Sequence, residues 1–347
     1  MIVMVDGPSG TDRQRKPKDY ASDQEIRWCP GCGDYSVLTQ IRKVLAKSNT
    51  DPDRVVFISG IGCAGRLPYY MATYGIHGIH GRAPAIATGL RLVRSDLDIW
   101  VITSDGDGLA IGGNHLMHAI RRNLNLKIIM MNNRVYGLTK GQASPTSEQD
   151  KVTVSTPYGS LIGQVSPCTF AVGCEATFVA RSVDMIPDHL AYVLERAMAH
   201  RGAAFVEVYQ NCIVFNDGAY SYATDRRIRA DNIIELTHGR PLVFGQDLDK
   251  GIRLTDGYRP EIVTIGQNGV TADQLLVHDE QAASPVLAFL LSRLRQPEFP
   301  EAIGVFRDIS LPTYDGMLDE QLKRITPPGG VPSLQKILNG SDSWIVD

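Results

Sequence analysis

Two short polar clusters are the first places where this sequence can do chemistry. Gly106-Asp107-Gly108 closes an apolar run that begins at Ile99, and Asn132-Asn133 closes another that begins at Lys127. Each run reads as a strand and the segment between them as a helix, so both clusters fall at the carboxyl ends of sequential strands. In an open parallel sheet that edge is where ligands bind, and flanking glycines let backbone N–H groups come close to a phosphate. Mg²⁺ takes hard oxygen ligands. The Asp107 carboxylate, the Asn133 side-chain oxygen, a backbone carbonyl expected to be that of Val135, and diphosphate oxygens supply such a set. Either motif alone reads equally well as a turn or a helix cap; the pair is far more specific.

The cysteines form a second group. Cys29-Pro30-Gly31-Cys32 follows Trp28 directly. A redox dithiol would sit after an apolar strand and open a helix, whereas this pair follows a polar segment, so ligation of a metal or cluster suits it better. Cys63 and Cys212 stand just past strand ends, after the runs that begin at Val55 and Ala203. Both project at the edge that carries Asp107 and Asn133. Four thiolates are what an iron–sulfur cluster needs; a structural zinc ion is the competing use of a CxxC loop, although zinc folds more often pair two such loops. Cys168 and Cys174 lie among small apolar neighbours and read as buried, inert thiols.

A parallel α/β sheet is required to hold these groups together. Apolar runs from Val55, Ile99, Lys127 and Ala203 predict strands, and residues 35–46, 83–94, 112–123 and 187–199 predict the helices between them. The fold class expected is α/β, a mostly parallel sheet flanked by helices. Residues 1–22 read as an extended polar arm, 23–240 as the domain with all the chemistry, and 241–347 as an extension packed on the core or on another chain, with one amphipathic stretch at 286–294. The 347 residues are 43% hydrophobic and 21% charged, which suits globular domains. A net charge of −3 offers no basic field for nucleic acid. The absence of a leader-like start and of a long apolar run predicts a cytoplasmic protein with no membrane partner, and six cysteines are too few for a disulfide scaffold.

Strand, Gly-Asp-Gly, helix, strand and Asn-Asn together resemble the diphosphate-binding motif of thiamine diphosphate enzymes. That motif covers only one of the two domains such enzymes use, and no second α/β unit of sufficient size is present, so a partner chain is expected to supply the other half of the site. The stretches WCPGCGDYSVL, GIGCAGRLPYY, HGIHGRAPAIATG, SDGDGLAIGGNH and NNRVYGLTKGQASPTS are similar to the β subunit of 2-oxoacid:ferredoxin oxidoreductases, most of all to those acting on 2-oxoglutarate. The likeness runs over residues 20–245, and PEFPEAIGVFR near the end is also similar.

By that resemblance Cys29, Cys32, Cys63 and Cys212 would ligate one [4Fe-4S] cluster, and Asp107, Asn133 and Val135 would hold Mg²⁺. Ile61, Gly62, Cys63, Ala64, His80, Gly106, Gly108, Gly137, Leu138 and Thr139 would line the thiamine diphosphate. The family turns a 2-oxoacid, coenzyme A and oxidised ferredoxin into acyl-CoA, carbon dioxide and reduced ferredoxin. It pairs this subunit with an α subunit, here expected in a dimer of heterodimers. The product expected from 2-oxoglutarate is succinyl-CoA, and the same reaction run in reverse makes 2-oxoglutarate. Pyruvate or a range of 2-oxoacids is the alternative substrate, and a non-oxidative thiamine decarboxylase subunit the alternative enzyme. A zinc-stabilised scaffold is the non-enzyme rival.

Two residues bear on substrate choice. Arg66, three positions past Cys63, is the candidate for pairing with the distal carboxylate of 2-oxoglutarate, since a guanidinium left unpaired in a closed site would disfavour pyruvate. His80, in the glycine-rich turn HGIHGR, is the candidate for a hydrogen bond to a substrate carboxylate or developing oxyanion. A solvent-facing arginine and a structural turn histidine are the competing readings. His115 and His118 share a helix face without a third ligand, which favours packing.

Overall fold

Among the described residues eleven strands build the fold: β1 (Val55–Ser59), β2 (Tyr74–His77), β3 (Asp98–Ser104), β4 (Leu126–Asn132), β5 (Phe178–Val183), β6 (Ala203–Tyr209), β7 (Ile233–Leu236), β8 (Val243–Phe244), β9 (Lys250–Leu254), β10 (Pro260–Thr264) and β11 (Glu301–Asp308). The computed structural model describes residues 13–326, 330, 332–341 and 344. Eight strands form one sheet in the order β2-β1-β3-β4-β6-β5-β11-β7, and β10-β9-β8 form a small antiparallel sheet. Every neighbouring pair in the large sheet is parallel except β11 with β5.

The central strands are apolar without alternation because both faces are covered. On one face Ile58, Val101, Ile128 and Phe205 join a core with α2 (Ala83–Val93) and α4 (Gly113–Arg121). On the other, Phe57, Trp100, Ile129 and Val206 pack with α1 (Asp34–Lys47) and α6 (Pro187–Ala199). A short α3 (Asp105–Leu109) follows β3, and α5 (Pro167–Gly173) precedes β5. Among the described residues no helix is long and apolar enough to cross a membrane.

Two segments differ from the sequence expectation. Residues 1–12 of the expected arm lie outside the described residues, but Pro17–Tyr20 forms a 3-10 turn against α1. Tyr20 is fully buried there, its hydroxyl hydrogen-bonded to the Leu45 carbonyl at 3.0 Å. One buried aromatic ties down a segment whose other residues are polar. The segment after residue 240 is also less of an appendage than its Pro/Gly punctuation suggests. It returns through β11 into the large sheet, between β5 and β7, with seven of its eight residues buried.

Candidate active site

Adjacent strands β1, β3, β4 and β6 end side by side, and their carboxyl ends deliver Cys63, the Gly-Asp-Gly turn, Asn133 and Cys212 respectively. A cleft of roughly 600 Å³ opens over this edge, lined by Ile61, Gly62, Cys63, Ala64, His80 and Asp107 on one side and by Asn133, Val135, Gly137, Leu138 and Thr139 on the other. Gly106 and Gly108 do not line it. Gly106 lets the Tyr136 ring pack against the turn, where a Cβ would lie 2.3 Å from that ring, and Gly108 packs on Met130 and Thr103. Their role is to let neighbouring groups come close.

Asp107 is buried and densely bonded. One oxygen accepts from the Ile61 N–H at 3.0 Å and the Gly81 N–H at 2.7 Å and lies 2.6 Å from His80 Nδ1; the other accepts from the Thr103 hydroxyl at 2.8 Å. A Cβ on Gly60 would sit 2.0 Å from this carboxylate, and Gly62 adopts φ +115°, where glycine alone is comfortable. Asn133 accepts from the Val135 N–H at 3.2 Å, and its own carbonyl accepts from the Asn216 side chain at 2.8 Å, which ties it to the loop carrying Cys212. A carboxylate, an amide oxygen and a loop carbonyl in one cleft are a donor set of the kind that Mg²⁺ takes with diphosphate oxygens.

A second cleft, of roughly 850 Å³, adjoins the first and is lined by Cys29, Cys32, Cys63 and Cys212. Trp28 pins its two halves by donating from Nε1 to the Cys63 carbonyl at 2.8 Å. Among the described residues no three His, Cys, Asp or Glu side chains converge closely enough to hold a single ion, so the thiols surround a space rather than a point. Gly137 faces that space: a Cβ there would lie 3.3 Å from Cys212 Sγ and 4.0 Å from Cys63 Sγ. Four thiols around one cleft are the donor set that an iron–sulfur cluster takes. Burial, reinforced by nearby Asp34 and Cys212, raises the Cys63 thiol to about 11, and burial likewise raises Cys32 far above the ordinary range. Cys168 is fully buried and donates to Glu207 at 3.2 Å, and it lines neither cleft.

Arg66 lies in the thiol cleft rather than the first one. Its Nη1 donates to the Arg27 carbonyl at 2.8 Å, and it makes no ion pair among the described residues. His80 is joined to Asp107, as above. Sequence reasoning passed over Asp34, Ser104, Met131, Tyr136 and Gln210, which also line the first cleft. Asp34 carried a readable sign: it shares the α1 stripe of Val37, Leu38 and Ile41, the buried face of that helix. Gln210 did not, since its contact with Cys32 Sγ at 3.3 Å depends on tertiary structure alone.

Residues 60–208 match the family described as thiamine pyrophosphate enzyme, C-terminal TPP binding domain. The 2-oxoglutarate oxidoreductase subunit KorB of Mycobacterium tuberculosis is 49% identical over 98% of this chain and 91% of its own length. The β subunit of 2-oxoacid:ferredoxin oxidoreductase 1 of Aeropyrum pernix is 43% identical over 57% of this chain and 62% of its own. A solved 2-oxoglutarate:ferredoxin oxidoreductase from Magnetococcus marinus, with 2-oxoglutarate, coenzyme A and succinyl-CoA bound, superposes with a TM-score of 0.73 at 31% identity, covering 93% of this chain and 95% of that one. With the diphosphate-type cleft and the four-thiol cleft on one sheet edge, these likenesses place the chain in the β-subunit family of the 2-oxoacid:ferredoxin oxidoreductases.

Proposed function

We propose that this chain is the thiamine diphosphate-binding β subunit of a 2-oxoglutarate:ferredoxin oxidoreductase, which with a partner α subunit converts 2-oxoglutarate and coenzyme A to succinyl-CoA and carbon dioxide. The observation that carries the reading is the shared wall of the two clefts: Cys63, Asn133, Gly137, Leu138 and Gln210 line both. Groups bound on either side would be separated by a single layer of residues, as passage of electrons from cofactor to cluster requires. The partner supplies the other half of the cofactor site, most simply in a dimer of heterodimers, with residues 241–347 contributing to the subunit contact. Ferredoxin is the electron acceptor.

Bound thiamine diphosphate supplies an electron sink for decarboxylation at the 2-oxo carbon, and a [4Fe-4S] cluster removes the electrons one at a time. The chain's own part is to hold and orient. Asp107, Asn133 and the Val135 carbonyl would hold Mg²⁺ and through it the diphosphate, while Cys29, Cys32, Cys63 and Cys212 would hold the cluster. His80, held by Asp107 through Nδ1, lines the same cleft and would be placed to hydrogen-bond a substrate carboxylate there. Arg66, beside Cys63, leaves N–H groups without a partner among the described residues, and these would pair with the distal carboxylate of 2-oxoglutarate.

The test is anaerobic purification with the partner subunit, followed by iron and sulfide analysis, visible absorption and EPR before and after 2-oxoglutarate. A broad iron–sulfur band that bleaches with 2-oxoglutarate and coenzyme A, and responds weakly to pyruvate, is expected. Cys29→Ser, Cys32→Ser, Cys63→Ser and Cys212→Ser should each lose iron, whereas Cys174→Ser should keep it. A colourless zinc protein, or an iron protein unresponsive to any 2-oxoacid, would refute the reading.

A further inference from the structure

Asp34 opens α1 directly after the CxxC loop and is 1% exposed, yet among the described residues its carboxylate oxygens have no hydrogen-bonding neighbour beyond the Cys32 thiol. An acidic residue in a first helical turn ordinarily lends its oxygens to backbone N–H groups; this one does not. Nor does any Lys, Arg or His pair with it among the described residues. Its charged neighbourhood makes matters worse, because Asp184 is 2% exposed, also has an unpartnered oxygen, and approaches through Gly33, where a Cβ would lie 1.9 Å from Asp184 Oδ2. A buried carboxylate without a partner is expensive and is ordinarily found paired.

The placement of this carboxylate says what would pair with it. Asp34 lines the cofactor cleft, and two residues earlier Cys32 lines the thiol cleft. The anionic end of the cofactor is accounted for by the glycine-rich turn and Asn133. What the cleft lacks is an anion for the other end, the five-membered ring, which carries a full positive charge.

Resting on the cofactor assignment above, we propose that Asp34 is the counter-ion of the cationic thiazolium ring and holds that ring on the thiol side of the cleft. A carboxylate that meets a fixed cation in a dry site favours the charged ring over a neutral ring of the same shape. It thereby discriminates on charge where the diphosphate contacts cannot.

Equilibrium binding to the cofactor-depleted complex, in the presence of Mg²⁺, separates the two contributions. The probes are thiamine diphosphate and thiamine thiazolone diphosphate, whose ring is neutral and nearly isosteric. Asp34→Asn should weaken thiamine diphosphate at least tenfold, which is about 1.4 kcal/mol, and change thiazolone diphosphate by less than threefold. Asp34→Ser, neutral and smaller, is measured in parallel so that one assembled variant suffices, and retained iron content reports that the thiol cleft is intact. Asp34→Glu should keep the preference for the charged ring. Equal losses for both probes, or a loss for neither, would overturn the proposal while leaving the cofactor assignment standing. Failure of the wild-type complex to bind either probe would overturn both.

Discussion

The Asp107 carboxylate is held by two backbone N–H groups, a hydroxyl and an imidazole, and the loops that supply them come from the ends of different elements. Such a group fixes the geometry of the turn and carries the charge that the proposed Mg²⁺ site would use. Asp107→Asn keeps the shape but turns one acceptor into a donor that faces other donors. The expected cost is about 1–3 kcal/mol of stability, together with a loss of about two orders of magnitude in cofactor affinity, or about 3 kcal/mol, read by Mg-dependent fluorescence titration. Unchanged affinity would remove Asp107 from the metal site. Arg66 is tested by selectivity: Arg66→Met should raise KM for 2-oxoglutarate at least tenfold and leave KM for a neutral 2-oxoacid within about threefold, since removing a charge-assisted pair costs roughly 1.5–3 kcal/mol. Equal changes for both substrates would return Arg66 to a structural tie between the thiol loop and the Arg27 carbonyl.

At the scale of elements, the loop after β4 is clamped over the cofactor cleft by the turn after β3. Ser144 and Thr146 both reach Asp105 Oδ2 at 2.6 Å, and the Tyr136 hydroxyl donates to the Gly106 carbonyl at 3.1 Å. Asp105→Asn should loosen that clamp, which would show as roughly tenfold weaker cofactor binding and faster proteolysis within residues 137–147; an unaltered cleavage rate would argue against the clamp. Helix α6 makes a pH prediction. His189 is buried with Nδ1 against the Ser182 hydroxyl at 2.8 Å, and burial lowers it from 6.5 to about 4. Between those values the unfolded chain binds a proton that the folded chain refuses, so stability falls as pH falls through that window, by at most about 1.4 kcal/mol per unit. Urea unfolding should therefore show wild type losing about 2 kcal/mol more than His189→Asn between pH 7 and pH 5; parallel losses would mean that His189 titrates normally. The strands that carry Asp107, Asn133, Cys63 and Cys212 were legible because they are buried on both faces and hence continuously apolar. β5 and β11 were not. Arg181 in β5 and Arg307 in β11 break the pattern, and only tertiary structure shows what they pair with, Arg181 with Glu207 at 2.8 Å and Arg307, through its two terminal nitrogens, with the Ala282 and Ala283 carbonyls.

For the whole molecule, the residues at the sheet edge could be read because their types are chemically narrow, whereas the contacts between loops could not. Gln210 joins the site only when the end of β6 is brought beside the CxxC loop, and nothing local announces that approach. The same limit applies to what covers the site. The loop from 148 to 165 carries Val154, Tyr158, Leu161 and Ile162 toward solvent, Tyr158 at 99% and Leu161 at 89% exposure. It continues directly from the segment that lines the cofactor cleft and is anchored there by the Gln164 side chain on the Thr146 carbonyl at 2.7 Å. Exposed apolar side chains beside a ligand cleft suit an interface, and on the function proposed above the partner subunit is the chain that would cover them. Leu161→Asp combined with Ile162→Asp removes two apolar contacts and places charge where a partner would exclude water. Because both side chains are already solvated in this chain, its own unfolding transition should move by no more than about 0.5 kcal/mol. Retention of the partner subunit in co-purification should fall at least tenfold, and cofactor binding to the mixture should fall with it. A double variant that keeps its partner and its cofactor would show that the loop faces solvent in the assembled enzyme, and that the α subunit reaches the cofactor from the opposite side of the cleft.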